Sequence, residues 1–145
     1  MDFQEKQLSS LQMQHLHVKD IKFSATGKEP VRPTKMNVAF HVDKNVQSDS
    51  KMAVELSCDI DIPEIAQMQV KLAADFETDG NVPVESMLKN AIAIMFPFLR
   101  SQVTLVTSQP NFRPIILPII NINNLVKCNR KIIRCTTYKA TGPAD

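Results

Sequence analysis

The segment Lys51-Met-Ala-Val-Glu-Leu-Ser-Cys-Asp-Ile-Asp-Ile62 alternates large apolar residues with polar or small ones at every step. A period of two is typical of a strand with one buried side and one solvent-facing side. The segments Lys35–Asp43 before it and Ala66–Phe76 after it alternate in the same way. The mainly polar turn region Asn45–Ser50 separates the first two segments, and Pro63-Glu64 separates the last two. Such short connections favour an antiparallel meander, because parallel strands need a long crossover.

The region Leu11–Ala25, ahead of this meander, also carries alternating apolar residues, but its phase changes twice. The apolar positions are odd-numbered up to Met13, even-numbered at Leu16 and Val18, and odd-numbered again from Ile21. Each change of phase predicts a β-bulge or a strand that serves two surfaces. We therefore expect four strands in one antiparallel sheet, with an apolar face that another layer must cover.

A long helix is predicted to provide that cover. Asp79-Gly-Asn81 breaks the strand pattern, and Pro83 followed by Glu85 suits the first turn of a helix. Apolar residues then recur at steps of three and four, which predicts one apolar stripe. Pro97 lies within the stripe and should kink or restart the helix. Its last part, Gln102–Thr107, is rich in β-branched residues and is compatible with either a helix or a strand.

The next segment, Gln109–Ile120, is predicted to be an extended loop. Pro110, Pro114 and Pro118 fall four residues apart and remove three backbone donors. Loops usually lie on the surface and are polar, but this one is rich in Ile, Leu and Phe. Two interpretations stay open, since the loop could be packed over the core or could line an apolar binding surface.

The C-terminal part is predicted to contain a short second helix. Asn123 is a suitable N-cap, and Ile132 and Ile133 fall on one helical face. A loose tail is expected over residues 136–145, so that a single domain spans residues 1–145 with its core at about residues 11–135. The fold class is therefore expected to be α+β.

Net charge is only +2, but Lys127–Arg134 carries four positive charges and no negative one. This basic segment could contact nucleic acid, or it could be the solvated face of a helix. It lacks the interleaved aromatic residues that stack on bases, which makes a nucleic-acid-binding oligomer the weaker alternative.

No sequence motif for catalysis, a cofactor or a metal stands out. The chain has three glycines and neither a G-x-x-x-x-G-K-[ST] nor a G-x-G-x-x-G sequence. His15 and His17 would lie on the same side of a strand, but no Cys, Asp or Glu clusters with them in sequence. We therefore expect a protein that is not an enzyme and has no cofactor.

The expected compartment is the cytoplasm. The three cysteines are an odd number without C-x-x-C spacing, which speaks against a disulfide framework or a zinc site. The N-terminal residues do not have the pattern of a secretory signal. The densest apolar stretch, Pro114–Ile120, is far shorter than the roughly 20 residues that span a bilayer.

Three segments of the sequence resemble a known family. Leu11–Ala25, with its Lys-Asp-Ile-Lys-Phe core, resembles the first strand of SecB, the protein-export chaperone, and Phe96-Pro-Phe-Leu-Arg100 is similar to the family's Phe-Pro-aromatic-x-Arg signature in a helix. Asn111–Leu125 then resembles the loop that connects the two helices of SecB together with the start of the second helix. The order and spacing of the elements agree over Leu11–Val126.

The resemblance implies a cytoplasmic, ATP-independent chaperone that holds unfolded polypeptides (clients) in apolar grooves. It also implies a homotetramer built as a dimer of dimers, with Gln102–Thr107 in the helix. The client-binding groove would be lined by Met36, Val38, Phe40, Phe112, Ile115, Ile116, Leu117, Ile119, Ile120, Ile122, Leu125 and Val126. The oligomer interface would use Met87, Ala91, Met95, Phe98, Leu99 and Val106.

The resemblance is incomplete on the polar face of the sheet. SecB proteins that act in export contact the translocation motor SecA through acidic residues, and Asp20 matches one of these positions. Ser24 stands where an acid is usual, and Lys71 falls near another such position. SecA therefore stays an open partner, and the alternative role is that of a dedicated SecB-like chaperone for the antitoxin of a toxin–antitoxin pair.

Overall fold

The fold consists of one antiparallel sheet with a long helix on its apolar face. The computed structural model describes residues 11–28, 35–118, 121–122 and 133–139, the last range by its backbone alone. The strands are β1 (Leu11–Ala25), β2 (Lys35–Val46), β3 (Lys51–Ile62), β4 (Ala66–Thr78) and β5 (Ile133–Lys139). They lie in the order β1-β4-β3-β2-β5. The four predicted strands and the α+β class are thus confirmed.

Both changes of phase in β1 correspond to irregularities in its pairing with β4. The register shifts between Gln14 and His17 and again between Val18 and Asp20. At the first shift His15 adopts a left-handed backbone conformation with φ of 55°. A bulge inserts an extra residue and so moves the following side chains to the other face, which explains why the apolar positions switch parity there.

The apolar face of the sheet and one side of the helix form the core. The even-numbered side chains of β3 and β4, from Met52 to Phe76, are buried almost without exception. A 3-10 turn, Val84–Met87, leads into helix α1, Leu88–Thr107, which contains Pro97. Helical structure therefore continues through Gln102–Thr107, because Val103 and Thr107 pack into the core from the last turns of α1.

The strand β5 was not predicted from the sequence. The sequence predicted a helical face that included Ile133 and a loose tail from Thr136, whereas Ile133–Lys139 forms a strand that pairs antiparallel with β2. Without β5 the backbone groups along this side of β2 would lie at an open edge, and an added strand pairs them. The predicted second helix falls mainly on residues 123–132, which lie outside the described residues.

Candidate functional site

The connecting loop after α1 places successive apolar side chains on opposite sides. Ile115 and Leu117 are buried in the core, with Leu117 only 1% exposed, whereas the side chain of Ile116 between them is 64% exposed. Alternation of this kind is what an extended backbone produces. Both interpretations of the loop are therefore represented in the structure, since it is packed over the core and also presents an apolar side chain to solvent.

Two threonines of α1 hold the backbone of this loop in place. The amide of Ile115 donates a 2.8 Å hydrogen bond to Oγ1 of Thr107, and Oγ1 of Thr104 donates a 2.8 Å bond to the carbonyl of Ile115. Thr107 is fully buried and also donates to the carbonyl of Val103 at 2.7 Å. Both backbone groups of Ile115 are thus satisfied by side chains, which fixes the direction in which the next residue points.

A third contact attaches the start of the loop to the edge strand β1. The ring of Phe112 packs edge-to-face on the ring of Phe23, with 5.2 Å between the ring centroids. Edge-to-face geometry is favourable because the positive edge of one ring meets the negative face of the other. Ile122, beyond the loop, is also half-buried against the core. The described part of the loop is therefore attached near its start by Phe112 and near its end by the buried side chains of Ile115 and Leu117.

The predicted groove residues of β2 lie beneath the surface. The side chains of Met36, Val38 and Phe40 are each 2% exposed or less. Phe40 packs against Phe96 of α1 with 5.8 Å between the ring centroids. These three residues belong to the same core cluster as Leu117, so the structure brings the sheet and loop positions together as one packed unit. The remaining predicted groove residues, Ile119, Ile120, Leu125 and Val126, lie outside the described residues.

The predicted oligomer positions on α1 divide into two groups. Ala91, Met95 and Leu99 have no exposed surface because they pack on the subunit's own sheet, and Met87 and Val106 are partly buried against the same core. Phe98 differs from them, since 46% of its surface is exposed.

Sequence reasoning did not single out Leu105, although its side chain is 60% exposed. Leu105 follows Phe98 by seven residues, or about two helical turns, so both side chains lie on the same exposed side of α1. A seven-residue spacing was the signal that could have identified this second, solvent-facing apolar side of the helix.

The opposite, polar face of the sheet carries paired charges. Lys19 forms an ion pair with Glu55 across β4, and His41 Nε2 lies 2.8 Å from a carboxylate oxygen of Asp59. Asp20 is half-buried opposite Lys71 in the register, and Lys22 Nζ approaches its carboxylate at 3.7 Å. Asp20 therefore lies on a face of mixed charge, and its role as a partner contact stays a prediction.

The same polar face has a shallow concave surface that extends across β1, β4, β3 and β2 and encloses a volume of about 710 Å³. Its side chains include Lys22, Asn37, Asp61, Gln67 and Gln69. Apolar residues also line it, namely Phe23, Val38, Ala39, Ile60 and Met68, so polar and apolar groups share this concave surface. Val38, which is one of the predicted groove residues, belongs to this lining, and the client-binding role of the groove stays a prediction.

The two histidines that could have suggested a metal are separated by the first bulge of β1. His15 Nδ1 lies 3.1 Å from a carboxylate oxygen of Asp75, while His17 Nδ1 lies 2.7 Å from the carbonyl oxygen of His15. Among the described residues no group of three His, Cys, Asp or Glu side chains could hold a metal ion. Within the same residues, no helix has the length and apolarity that a membrane-spanning helix needs.

The basic segment Lys127–Arg134 falls largely outside the described residues; its last two positions open strand β5. The contribution of this segment to any binding surface therefore stays a prediction.

Comparison with known proteins places these features in context. The sequence model of one family, described as preprotein translocase subunit SecB, matches residues 4–131. No curated protein matches the chain. A solved SecB-like chaperone from Mycobacterium tuberculosis, in complex with a ChAD peptide from the HigA1 antitoxin, has a TM-score of 0.64 at 16% identity over 77% of this chain and 91% of that chain. A protein of unknown function from Streptococcus agalactiae has a TM-score of 0.44 at 12% identity over 75% of this chain and 97% of its own.

Proposed function

The chain belongs to the SecB family, and on this premise we propose that it is an ATP-independent holdase that binds unfolded polypeptides through its apolar connecting loop. Family membership and a structural neighbour that is itself a SecB-like chaperone support a chaperone function without catalysis. A holdase must recognise many sequences weakly and reversibly, and contact between apolar side chains meets that need because it is not directional.

The observation that carries this proposal is the exposed side chain of Ile116 on a rigidly held backbone. Ile115 and Leu117 are buried on either side of it, and the threonines of α1 bind the backbone of Ile115. An apolar group that is already ordered loses little conformational entropy when a client covers it. Ile116 is therefore the described loop residue that meets a client first.

The predicted groove residues of β2 would contact a client later than the loop does. Because Met36, Val38 and Phe40 are buried, a client reaches them only when the groups that cover them are displaced. Initial contact thus belongs to the loop, and the predicted deeper groove contributes after a local rearrangement.

The proposal extends to assembly, compartment and export. Phe98 and Leu105 would join subunits into the homotetramer through the exposed side of α1, since two large apolar side chains seven residues apart suit contact with another helix. The family description supports a role in preprotein translocation. We further propose that the protein acts in the cytoplasm and passes the client to SecA, with Asp20 as a contact.

A dedicated antitoxin chaperone is the second candidate. The SecB-like neighbour from Mycobacterium tuberculosis was solved with an antitoxin peptide, which supports the same kind of client for this chain. The two candidates differ in breadth, because a general holdase binds many unfolded proteins whereas a dedicated chaperone binds one segment.

The test of the proposal is suppression of aggregation without ATP. Guanidinium-denatured citrate synthase is diluted into buffer with the wild type, with Ile116→Asp, or with Val82→Asp as a matched change at another exposed apolar side chain. Loss of one apolar contact of this size should cost about 1–2 kcal/mol, so Ile116→Asp should need about five- to thirtyfold more protein for the same suppression. Val82→Asp should behave like the wild type.

Failure would be informative in two ways. A wild type that suppresses the aggregation of none of several unrelated clients would exclude a general holdase and leave the dedicated antitoxin chaperone. Equal loss of activity in both variants would show that the loop is not the contact site.

A further inference from the structure

The pairing between β5 and β2 is short and interrupted. It joins Lys35 to Lys139 at one end and Phe40 to Ile133 at the other, with a shift in register after Met36. By contrast, the pairing of β2 with β3 continues without a shift from Asn37 to Val46. A bulge leaves part of a ladder unpaired, so β5 is held by fewer regular hydrogen bonds than the strand on the other side of β2.

A strand in the position of β5 lies beside the apolar core. It pairs with the part of β2 that carries Met36, Val38 and Phe40 on its inner face, and these three side chains belong to the core cluster. Neighbouring antiparallel strands present their alternate side chains on shared faces. A polypeptide in the place of β5 would therefore present every second side chain beside the apolar core.

The sequence of β5 uses that opportunity only in part. The Cα partners of Phe40, Val38 and Met36 are Ile133, Cys135 and Tyr138, of which one is a large aliphatic residue, one is small and one carries a hydroxyl. Buried apolar area is the main source of stabilisation at such a position, at roughly 1.5–3 kcal/mol for each large aliphatic side chain. An extended segment with Val, Ile, Leu or Phe at alternate positions would gain more from this edge than β5 does.

We propose that β5 is an exchangeable edge strand, and that an unfolded polypeptide with alternating apolar residues displaces it and adds to β2 in its place. This inference rests on the proposed holdase function and names the class of client and the backbone that receives it. Strand addition recognises the main chain, so it is compatible with many sequences.

Because β5 is part of the same chain, it would also limit which polypeptide segments can bind. A covalently linked competitor acts at an effective concentration in the millimolar range, so short or polar segments would not displace it. Only a segment that pairs along the edge and buries several apolar side chains would bind. The buried positions Met36, Val38 and Phe40 would then contribute to binding without being exposed in the free protein.

Hydrogen exchange in the wild-type chain provides the first test. The probe is fluorescently labelled, carboxymethylated α-lactalbumin, which stays unfolded, and fluorescence anisotropy establishes separately that it is bound. At saturation, amides of Ile133–Lys139 should exchange at least tenfold faster than in the free protein, while those of residues 35–40 stay protected.

Three outcomes of this experiment contradict some part of the argument. Unchanged or slower exchange in β5 on a bound client would overturn strand displacement and leave the holdase proposal intact. Faster exchange in both β5 and residues 35–40 would also overturn it, because the edge would be open and not occupied by the client. Absence of binding in the anisotropy measurement would instead refute the holdase proposal itself.

A reversible covalent lock provides the second test. Ala39 and Arg134 are Cα partners, so Ala39→Cys with Arg134→Cys can form a disulfide that fixes β5 to β2, in a background that replaces Cys128 and Cys135 by Ser. Oxidation should weaken binding of the probe at least tenfold, and reduction should restore it. Equal affinity of the oxidised and reduced forms would overturn the proposal.

The matched control locks two strands that are not expected to separate. Asn45 and Ala53 are Cα partners in β2 and β3, so Asn45→Cys with Ala53→Cys makes the same kind of bond one strand further in. Oxidation of this control should change the affinity less than twofold. If this control lost as much affinity for the probe as the disulfide between positions 39 and 134 causes, any rigid link between strands would impair binding. That result would also overturn displacement of β5.

Discussion

Replacement of Thr107 by Val tests how the loop is held on the helix. Valine keeps the shape of threonine but removes the oxygen that accepts the amide of Ile115 at 2.8 Å. Thr107 is fully buried, so no water replaces that oxygen while the loop stays docked. The amide of Ile115 is then a buried donor without an acceptor, which costs about 1–3 kcal/mol.

The protein has an alternative, which is to release the loop so that this amide reaches water. Release would expose the side chains of Ile115 and Leu117, both of which are buried. At about 1.5–3 kcal/mol for each side chain, that exposure would cost about 3–6 kcal/mol. Because release costs more than the unsatisfied amide, we expect the loop to stay docked in Thr107→Val and the free energy of unfolding to fall by about 1–3 kcal/mol.

Guanidinium denaturation at one fixed protein concentration measures that fall, with an unchanged m-value as evidence that the folded state is retained. Thr104→Val is the matched control, because Thr104 is half-buried and its hydroxyl donates to the carbonyls of Ile115 and Arg100, at 2.8 and 3.2 Å, but does not bind the Ile115 amide. Loss of one such bond should cost about 0.5–1.5 kcal/mol.

Equal destabilisation by the two changes would refute the distinction between the buried hydroxyl of Thr107 and the half-buried hydroxyl of Thr104. Fast exchange of the Ile115 amide in Thr107→Val, with stability unchanged, would show that the loop is released and that the comparison of costs is wrong.

Two further predictions concern packing and assembly. Leu117→Ala should lower the free energy of unfolding by about 2–5 kcal/mol, because it leaves a cavity under the loop, and denaturant unfolding that gives less than 1 kcal/mol would contradict the packing of this residue. Phe98→Asp combined with Leu105→Asp should convert the proposed homotetramer to smaller species in size-exclusion chromatography with light scattering, while circular dichroism stays unchanged; an unaltered mass would exclude this side of α1 as the interface.

The strands and the bulges of β1 were predictable because their signal is local. Apolar side chains alternate along β3 and β4, and the two changes of parity in β1 occur where the structure has its register shifts. A strand with one buried face imposes a period of two on its sequence, and each inserted residue leaves a visible change of phase.

Other features were not predictable from local patterns, since they depend on partners far away in the sequence. The β-branched residues of Gln102–Thr107 suit a strand as well as a helix, and only the resemblance to SecB implied the helix that the structure has. In β5, Thr136, Thr137 and Tyr138 favour a strand, but their pairing partner lies about one hundred residues earlier in β2. A local pattern does not reveal a long-range pairing.

The sequence by itself determined the alternating strands, the amphipathic helix, the apolar proline-rich loop and the resemblance to SecB, because each of these is written in residue types at short spacing. Only the tertiary structure decided which apolar residues are covered. It buried Met36, Val38 and Phe40, and it left Ile116 and Phe98 exposed. Removal from water lowers the free energy of any apolar side chain. The packing of the sheet, helix and loop determines which of these side chains are buried.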